Sequence, residues 1–335
     1  MKQRKIGTSP VSAIGLGCMN YAHGYGNGLD DRDAADLLLK ALDLGYTHFD
    51  TATMYGAGRS ERILGDTLSA RRSEFFLASK CVLYPGPNGQ GREIDGRPER
   101  IKAACEDSLK RLKTDVIDLY YQHRLDPNVP IEESAGAFAD LIRQGKIRSY
   151  GLSEISAETL RRAHAVNPVA ALQSEYSLWT RNPEIATLEA CAELGVTFVA
   201  FSPLGRKFLS GKLSLTDVEA PAAGDMRASM PRFEPQTYAR NLALLDGYRA
   251  IAEDVGCSMA ELAIAWVLSR GEHVVAIPGT ANPEHLAENA RADEVVLTPE
   301  ILARLDALIN ERTVLGPRYN PAQQADVETE DFAPA

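Results

Sequence analysis

Asp50, Tyr55, Lys80 and His123 are four residues that together can make one acid. They occur in FDTATMYG (49–56), LASK (77–80) and LYYQH (119–123), at the ends of three apolar runs. A tyrosine with an ordinary pKa of ~10 is a poor proton donor at neutral pH. An ammonium beside it favours the phenolate and draws that pKa down. A carboxylate next to the ammonium keeps it charged, and a histidine at the same place can hold a substrate oxygen. The chemistry available to such a set is protonation of a carbonyl oxygen as the carbon accepts hydride, a step in which a positioned acid contributes ~10²–10⁴-fold. Taken singly, each residue has a plainer explanation: a packed tyrosine, an ion pair tying two strands, a satisfied strand-end histidine. Lys80 resists this most, because it ends the apolar run FFLAS and buried lysines are rare unless paired. Asp50, ending the preceding run, is the partner at hand.

Other chemistries find less support. The six histidines contain no His-x-His and no His-Glu-x-x-His, which disfavours a metal and a metal-dependent hydrolase. Gly15-Leu16-Gly17 lacks the third glycine of a dinucleotide fingerprint, and Gly24-Tyr25-Gly26-Asn27-Gly28 follows no strand, so a Rossmann site is disfavoured. With 36 basic and 46 acidic residues the net charge is −10, and the basic stretches RRS (71–73) and RPERIK (97–102) are short and mixed. A nucleic-acid partner is not expected. The five cysteines are odd in number and unclustered, as in a reducing compartment. Cys18 and Cys81 fall near strand ends and are expected to be buried, inert thiols. MKQRKIGTSP carries no apolar leader, and no stretch approaches the ~20 apolar residues that span a bilayer. A cytoplasmic protein without membrane contact is the expectation; oligomeric state is left open.

Eight apolar runs must position these residues: 12–17, 46–50, 75–80, 116–123, 147–153, 169–173, 196–202 and 273–279. They are continuously apolar, as strands buried on both faces are. Amphipathic stretches at 31–45, 59–69, 98–112, 132–144, 156–165 and 183–194 lie between them and predict helices. Eight strand–helix alternations predict a single (β/α)8 TIM barrel, with a core at about 12–292, in preference to an open doubly wound sheet. Chemistry drawn from the C-terminal ends of several strands suits a barrel, whereas an open sheet concentrates it at one switch point. Residues 1–11 predict a hairpin closing the barrel bottom. Helices at 237–255 and 258–270 leave one helix extra to the repeat, and a further helix capped by Thr298 follows the eighth. The Gly/Pro-rich segment 203–236 reads as a functional loop, and the acidic tail 322–335 as poorly ordered.

The set Asp50, Tyr55, Lys80 and His123 resembles the catalytic tetrad of the aldo-keto reductases, in type and in order along the chain. The resemblance runs from about Arg4 to about Asn289, and RRAHAVNPVAALQSEYSLWTR (161–181) is similar to the branch that includes perakine reductase and pyridoxal reductase. It implies NADPH-dependent reduction of an aldehyde or ketone, with NAD(H) used less well and no metal. It also implies a cofactor lying extended across the barrel mouth. Ser153 and Gln173 would then hold the carboxamide, Phe201 would stack on the nicotinamide, and Ser202, Leu204, Gly205 and Lys207 would cover the pyrophosphate. Gly279 and Thr280 would lead to the adenosine half, with a helix N-terminus near Pro283 favouring a phosphate and Glu288 and Asn289 reaching the adenine.

Four positions depart from the pattern of relatives. Glu154 stands where asparagine is common and could accept from the carboxamide nitrogen. Lys207 replaces a usual glycine, and Ala281 a usual basic residue. His285 stands where arginine is common, which weakens the expected preference for NADPH. Met54, Tyr84, Arg124 and Trp179 are expected around the mouth, where apolar and aromatic lining suits a small uncharged or aromatic carbonyl compound. The loops 82–97 and 203–236 would set specificity. The alternative within the same fold is a cofactor-binding regulatory subunit with little turnover.

Overall fold

Strands buried on both faces favour apolar residues, and the eight such runs pair in parallel in the computed structural model, which describes residues 1–26, 28–86 and 91–332. An antiparallel hairpin comes first, β1 (Gln3–Ile6) and β2 (Ser9–Ser12). The barrel strands follow as β3 (Leu16–Gly17), β4 (His48–Asp50) and β5 (Phe76–Cys81). A second hairpin, β6 (Leu83–Pro85) with β7 (Arg92–Ile94), interrupts them. The barrel resumes with β8 (Ile117–Gln122), β9 (Ile147–Ser153), β10 (Ala171–Glu175), β11 (Thr197–Phe201) and β12 (Val274–Ile277). Neighbours in sequence are neighbours in space from β3 through to β12, and the ends meet: the Gly15 amide donates to Ala276 at 2.8 Å and the Ala276 amide to Ala13 at 3.1 Å. The seam is tight enough that a Cβ on Gly17 would lie 2.9 Å from the Ile277 carbonyl.

Two apolar layers hold this together. Inside the barrel, Phe76, Ala78, Leu119, Tyr121, Ala171, Val199, Val275 and Ile277 pack as one cluster. Ile6 and Val11 of the hairpin join it from below, so the hairpin plugs the bottom as its sequence predicts. Outside, the helices α1 (Asp31–Asp43), α2 (Arg59–Leu68), α3 (Pro98–Leu112), α4 (Ile131–Arg143), α5 (Ala157–Val166) and α6 (Thr187–Leu194) lay one face each on the sheet. Their starts carry local signals: Asp30 accepts from the Asp33 amide, Ser156 from Thr159, and α3 has proline in its first turn.

The remaining segments depart from the repeat. The segment 203–236 contains one short helix, α7 (Leu215–Glu219), and single turns. The stretch 237–255 is two helices, α8 (Pro235–Leu242) and α9 (Leu244–Val255), before the fully buried α10 (Met259–Leu268). Then come α11 (Pro283–Arg291), α12 (Pro299–Leu308) and a single turn, α13 (Pro321–Gln324).

The tail corrects an expectation: residues 322–332 are docked. The Glu328 carboxylate accepts from the Ser156 amide at 3.1 Å and from the hydroxyls of Ser156 and Thr159 at 2.9 Å. Glu330 accepts from the Ala157 amide at 2.7 Å and the Thr187 hydroxyl at 2.8 Å. The acidity that suggested a solvated tail instead satisfies two amides at the start of α5 and the Thr187 hydroxyl at the start of α6, and meets the partial positive charge of those helix ends. Residues 333–335 lie outside the described chain.

Candidate active site

Each barrel strand delivers its last residues to one mouth. Asp50 ends β4, Lys80 sits one residue before the end of β5, His123 follows β8, and Tyr55 lies in the turn after β4. The Lys80 stem is forced into the barrel by the strand's alternation, and its side chain is wholly buried. Its ammonium pairs with Asp50, donates to the Thr51 carbonyl at 2.9 Å and reaches the Tyr55 hydroxyl at 3.5 Å. Asp50 uses its other oxygen to accept from Gln173 Nε2 at 2.8 Å. The four residues are therefore one connected group, with the His123 ring edge-on to Tyr55 at 5.9 Å between centroids.

The electrostatics refine the expected acid. Burial pulls the Lys80 ammonium toward neutrality, but Asp50 and Tyr55 outweigh it and hold its pKa above the usual lysine value. Burial raises the Tyr55 hydroxyl while Lys80 opposes, and the net direction is upward rather than down. Tyr55 is thus held in its protonated form, with the Lys80 ammonium beside its hydroxyl. His123 is driven well below its usual pKa by burial, with Arg124 and Lys80 adding to the effect, so it is a neutral imidazole. Its Nδ1 is buried without a partner among the described residues.

Asp50, Tyr55 and His123 open onto a cavity of about 620 Å³ that runs from Met54 and Tyr55 to Asn289, with Lys80 buried behind them. Ser153, Gln173, Phe201, Ser202, Leu204 and Lys207 line its middle, and Gly279, Thr280, His285, Glu288 and Asn289 its far end. Gln173 spends its NH2 on Asp50, which leaves its carbonyl free to accept. Lys207 holds φ +82°, a conformation that favours glycine, in a run where Gly205 (+55°) and Arg206 (+56°) are also left-handed. Asn282 caps α11, whose first turn faces the cavity beside His285. Among the described residues no group of three His, Cys, Asp or Glu side chains is placed to hold a metal ion, and no helix is long and apolar enough to cross a membrane. Cys18 and Cys81 are buried and their thiols are raised by that burial, Cys18 to about 12.

Four expected site residues lie elsewhere. Glu154, in a left-handed conformation (φ +57°), points away from the cavity. Its carboxylate pairs with Arg318 and accepts from the Ser174 hydroxyl at 2.7 Å and the Glu175 amide at 2.9 Å. Gly205 lies behind the cavity wall, against the Trp179 ring. Trp179 itself supports that loop from below, stacked on Phe208 at 4.0 Å with Phe233 at its edge. Tyr84 is buried on the other side of its strand from the cavity, under the Arg100 guanidinium at 4.2 Å, while its neighbour Leu83 faces the cavity. Strand alternation puts consecutive side chains on opposite sides, so only one of the two can line the mouth. Met54 and Arg124 do line it.

Other lining residues were not singled out by sequence. Met19, Asn20, His23 and Tyr25 come from the loop after β3, Arg206, Met226, Arg227 and Met230 from the segment 203–236, and Tyr319 and Gln323 from the C-terminal segment. Tyr25 bridges Asp225, so two loops 200 residues apart form one wall. The available signal was the length and aromatic content of the loop 18–30, which no helix or strand pattern explained. Residues 87–90 of the loop 82–97 lie outside the described chain; Arg92 of that loop lines the cavity.

A parallel barrel with this group at its mouth is the architecture of a barrel oxidoreductase, and the chain belongs to the aldo/keto reductase family, whose profile matches residues 13–310. It is 41% identical over 325 residues to an aldo-keto reductase of Strobilurus tenacellus, spanning 94% of both chains. In structure it is similar to the glycerol dehydrogenase of Gluconobacter oxydans, with a TM-score of 0.85 at 31% identity over 95% of this chain and 98% of that one. An aldo/keto reductase from Klebsiella pneumoniae, solved in complex with NADP and acetate, matches with a TM-score of 0.71 at 28% identity over 95% of this chain and 99% of that one.

Proposed function

We propose that this chain reduces aldehydes or ketones with NADPH, Tyr55 giving the proton and His123 holding the carbonyl oxygen. The observation that carries the reading is Lys80, wholly buried yet linked to both Asp50 and the Tyr55 hydroxyl at the mouth of the cavity. A nicotinamide cofactor supplies the hydride when bound. The donor set fits one: a free amide oxygen on Gln173 and the Ser153 hydroxyl suit a carboxamide, and Phe201 suits a flat ring. Lys207, Lys212 and the start of α11 suit phosphates at the other end. The preference for NADP is supported by the Klebsiella relative's complex and by these cations; Ala281 and the uncharged His285 make the margin small.

Neutral His123 donates one hydrogen bond to the substrate oxygen and Tyr55 a second, so negative charge building on that oxygen meets two donors. The Tyr55 proton then moves to it, and Lys80 stabilises the phenolate left behind. Met54, Leu83, Met226 and Met230 give the substrate an apolar or aromatic body to rest on. Within the family we place the chain near the perakine and pyridoxal reductases, on the strength of the stretch 161–181.

The test is Tyr55→Phe, assayed by NADPH oxidation at 340 nm with 4-nitrobenzaldehyde and by NADPH quenching of intrinsic fluorescence. The expected result is a fall in kcat of at least ~10² with the NADPH Kd unchanged. A variant keeping more than roughly a tenth of kcat removes Tyr55 as the acid.

A further inference from the structure

Arg124 directly follows the tetrad's histidine, and its side chain enters the cavity wall. Its only hydrogen bond among the described residues is local: Nη1 donates to the His123 carbonyl at 2.6 Å. No described carboxylate comes within ion-pair distance of it. Four other cations of the wall are matched. Arg206 pairs with Glu175 at 2.6 Å, Arg227 with Asp225 at 2.6 Å, Lys212 with Glu288 at 3.2 Å, and Arg92 with Asp326. Lys207 has no carboxylate either, but it acts on His285 at the far end, whereas Arg124 acts on Tyr55 and His123.

The reacting end of the cavity therefore carries one unmatched positive charge. The two carboxylates that line the cavity, Asp50 and Glu288, are each already paired. Glu154 lies within electrostatic reach of Arg124, but Arg318, Ser174 and the Glu175 amide occupy its oxygens. A half-buried guanidinium without an anion is unfavourable, and its planar fork of donors matches a carboxylate in shape. The same cavity is lined by Met54, Leu83, Met226 and Met230, which offer an apolar surface to the rest of a substrate.

We propose that Arg124 binds an anionic substituent of the substrate, so that the preferred substrates are aldehydes or ketones bearing a carboxylate on an apolar body. This rests on the reading of the cavity as a carbonyl reductase site, and it replaces the expected uncharged substrate with an apolar or aromatic carbonyl compound that carries a negative charge. The test compares 4-formylbenzoate with its methyl ester, which has the same ring and aldehyde and no charge. The quantity read is the ratio of the two kcat/KM values with NADPH. Any effect of Arg124 on the tetrad through the His123 carbonyl falls on both substrates and cancels.

The wild type should favour the carboxylate, and Arg124→Met should lower the ratio about 30-fold, within the ~10- to 150-fold that one charge-assisted hydrogen bond corresponds to. Arg124→Lys should lower it less. An unchanged ratio in Arg124→Met overturns the proposal, whatever happens to the absolute rates. Should that variant not fold, the wild-type ratio is measured between 20 and 300 mM salt: it should fall as screening rises, and a flat ratio overturns the proposal. If neither aldehyde is reduced, the reductase reading fails. The charge proposal is then judged by calorimetry with benzoate, upheld by a Kd at least tenfold weaker in the variant and overturned by an unchanged one.

Discussion

Lys80→Met removes one charge and little volume from the centre of the site. Lys80 now satisfies three acceptors: the Asp50 carboxylate, the Thr51 carbonyl at 2.9 Å and the Tyr55 hydroxyl at 3.5 Å. Methionine satisfies none, and Asp50 keeps only Gln173 as a buried partner. Breaking a buried pair by deleting one member costs about 3–5 kcal/mol, because the remaining charge is left uncompensated. With an unfolding entropy of ~2.1 cal/mol/K per residue over 335 residues, this corresponds to a Tm lower by about 4–7 °C. The same change removes the cation that opposes the burial of Tyr55, so kcat should fall ~10²–10⁴-fold. Thermal unfolding followed by circular dichroism and NADPH oxidation with 4-nitrobenzaldehyde measure the two effects separately. Adding Asp50→Asn should restore most of the stability and none of the activity, since it removes the orphaned charge but not the need for the cation. A Lys80→Met protein with unchanged Tm and kcat within tenfold of wild type would refute the reasoning. Recovery of activity in the double variant would refute the assigned role of the lysine.

His285→Arg should tighten NADPH by about tenfold and leave NADH nearly unchanged, because arginine supplies a permanent charge and a bidentate grip on phosphate; equal effects on both cofactors would show that His285 does not face the 2′-phosphate. Stability should fall on acidification below pH 6.5, because buried His48, lowered to about 4, and His123 take up protons in the unfolded chain before the folded one. For His48 the loss between pH 6.5 and 5 is roughly 1.5 kcal/mol; His48→Gln should flatten the Tm-versus-pH curve over that range, and an unchanged slope would rule His48 out as its cause. Glu328→Ala should cost about 1–2 kcal/mol by leaving the Ser156 amide and the Ser156 and Thr159 hydroxyls without their acceptor, and should raise KM for the aldehyde more than for NADPH, since the adjoining C-terminal segment places Tyr319 and Gln323 in the cavity wall. Equal changes in both KM values would separate the latch from the substrate wall.

The residues whose positions were legible in the sequence are those set by strand ends. Asp50, Lys80, His123, Ser153, Gln173 and Phe201 each sit within two residues of where a parallel strand stops, and a closed barrel brings such ends together regardless of loop detail. Tyr84 was illegible because Val82, at φ +78°, turns the chain between β5 and β6 and resets which side the next residues face. Glu154 was misread because its partner, Arg318, lies 164 residues further on. Trp179 looks like a rim aromatic until Phe208 and Phe233 cover it from the segment 203–236. The tail fails for a related reason. Its acidic residues are ordinary for a solvated end, and only the placement of the α5 and α6 starts beside them gives them a task.

The seam between β3 and β12 has a consequence for biosynthesis. Asp50, Tyr55, Lys80 and His123 have all been made once His123 is added, but the barrel cannot close until Val274–Ile277 pair with residues 13–17. At ~5–20 residues per second, the intervening stretch of about 150 residues takes roughly 8–30 s to synthesise. During that interval β3 presents an unpaired edge, and Lys80 and Asp50 stand in a barrel with no far wall. A nascent chain halted near residue 270 should therefore engage holdase chaperones and bind no NADPH, and one extended past residue 310 should do the reverse.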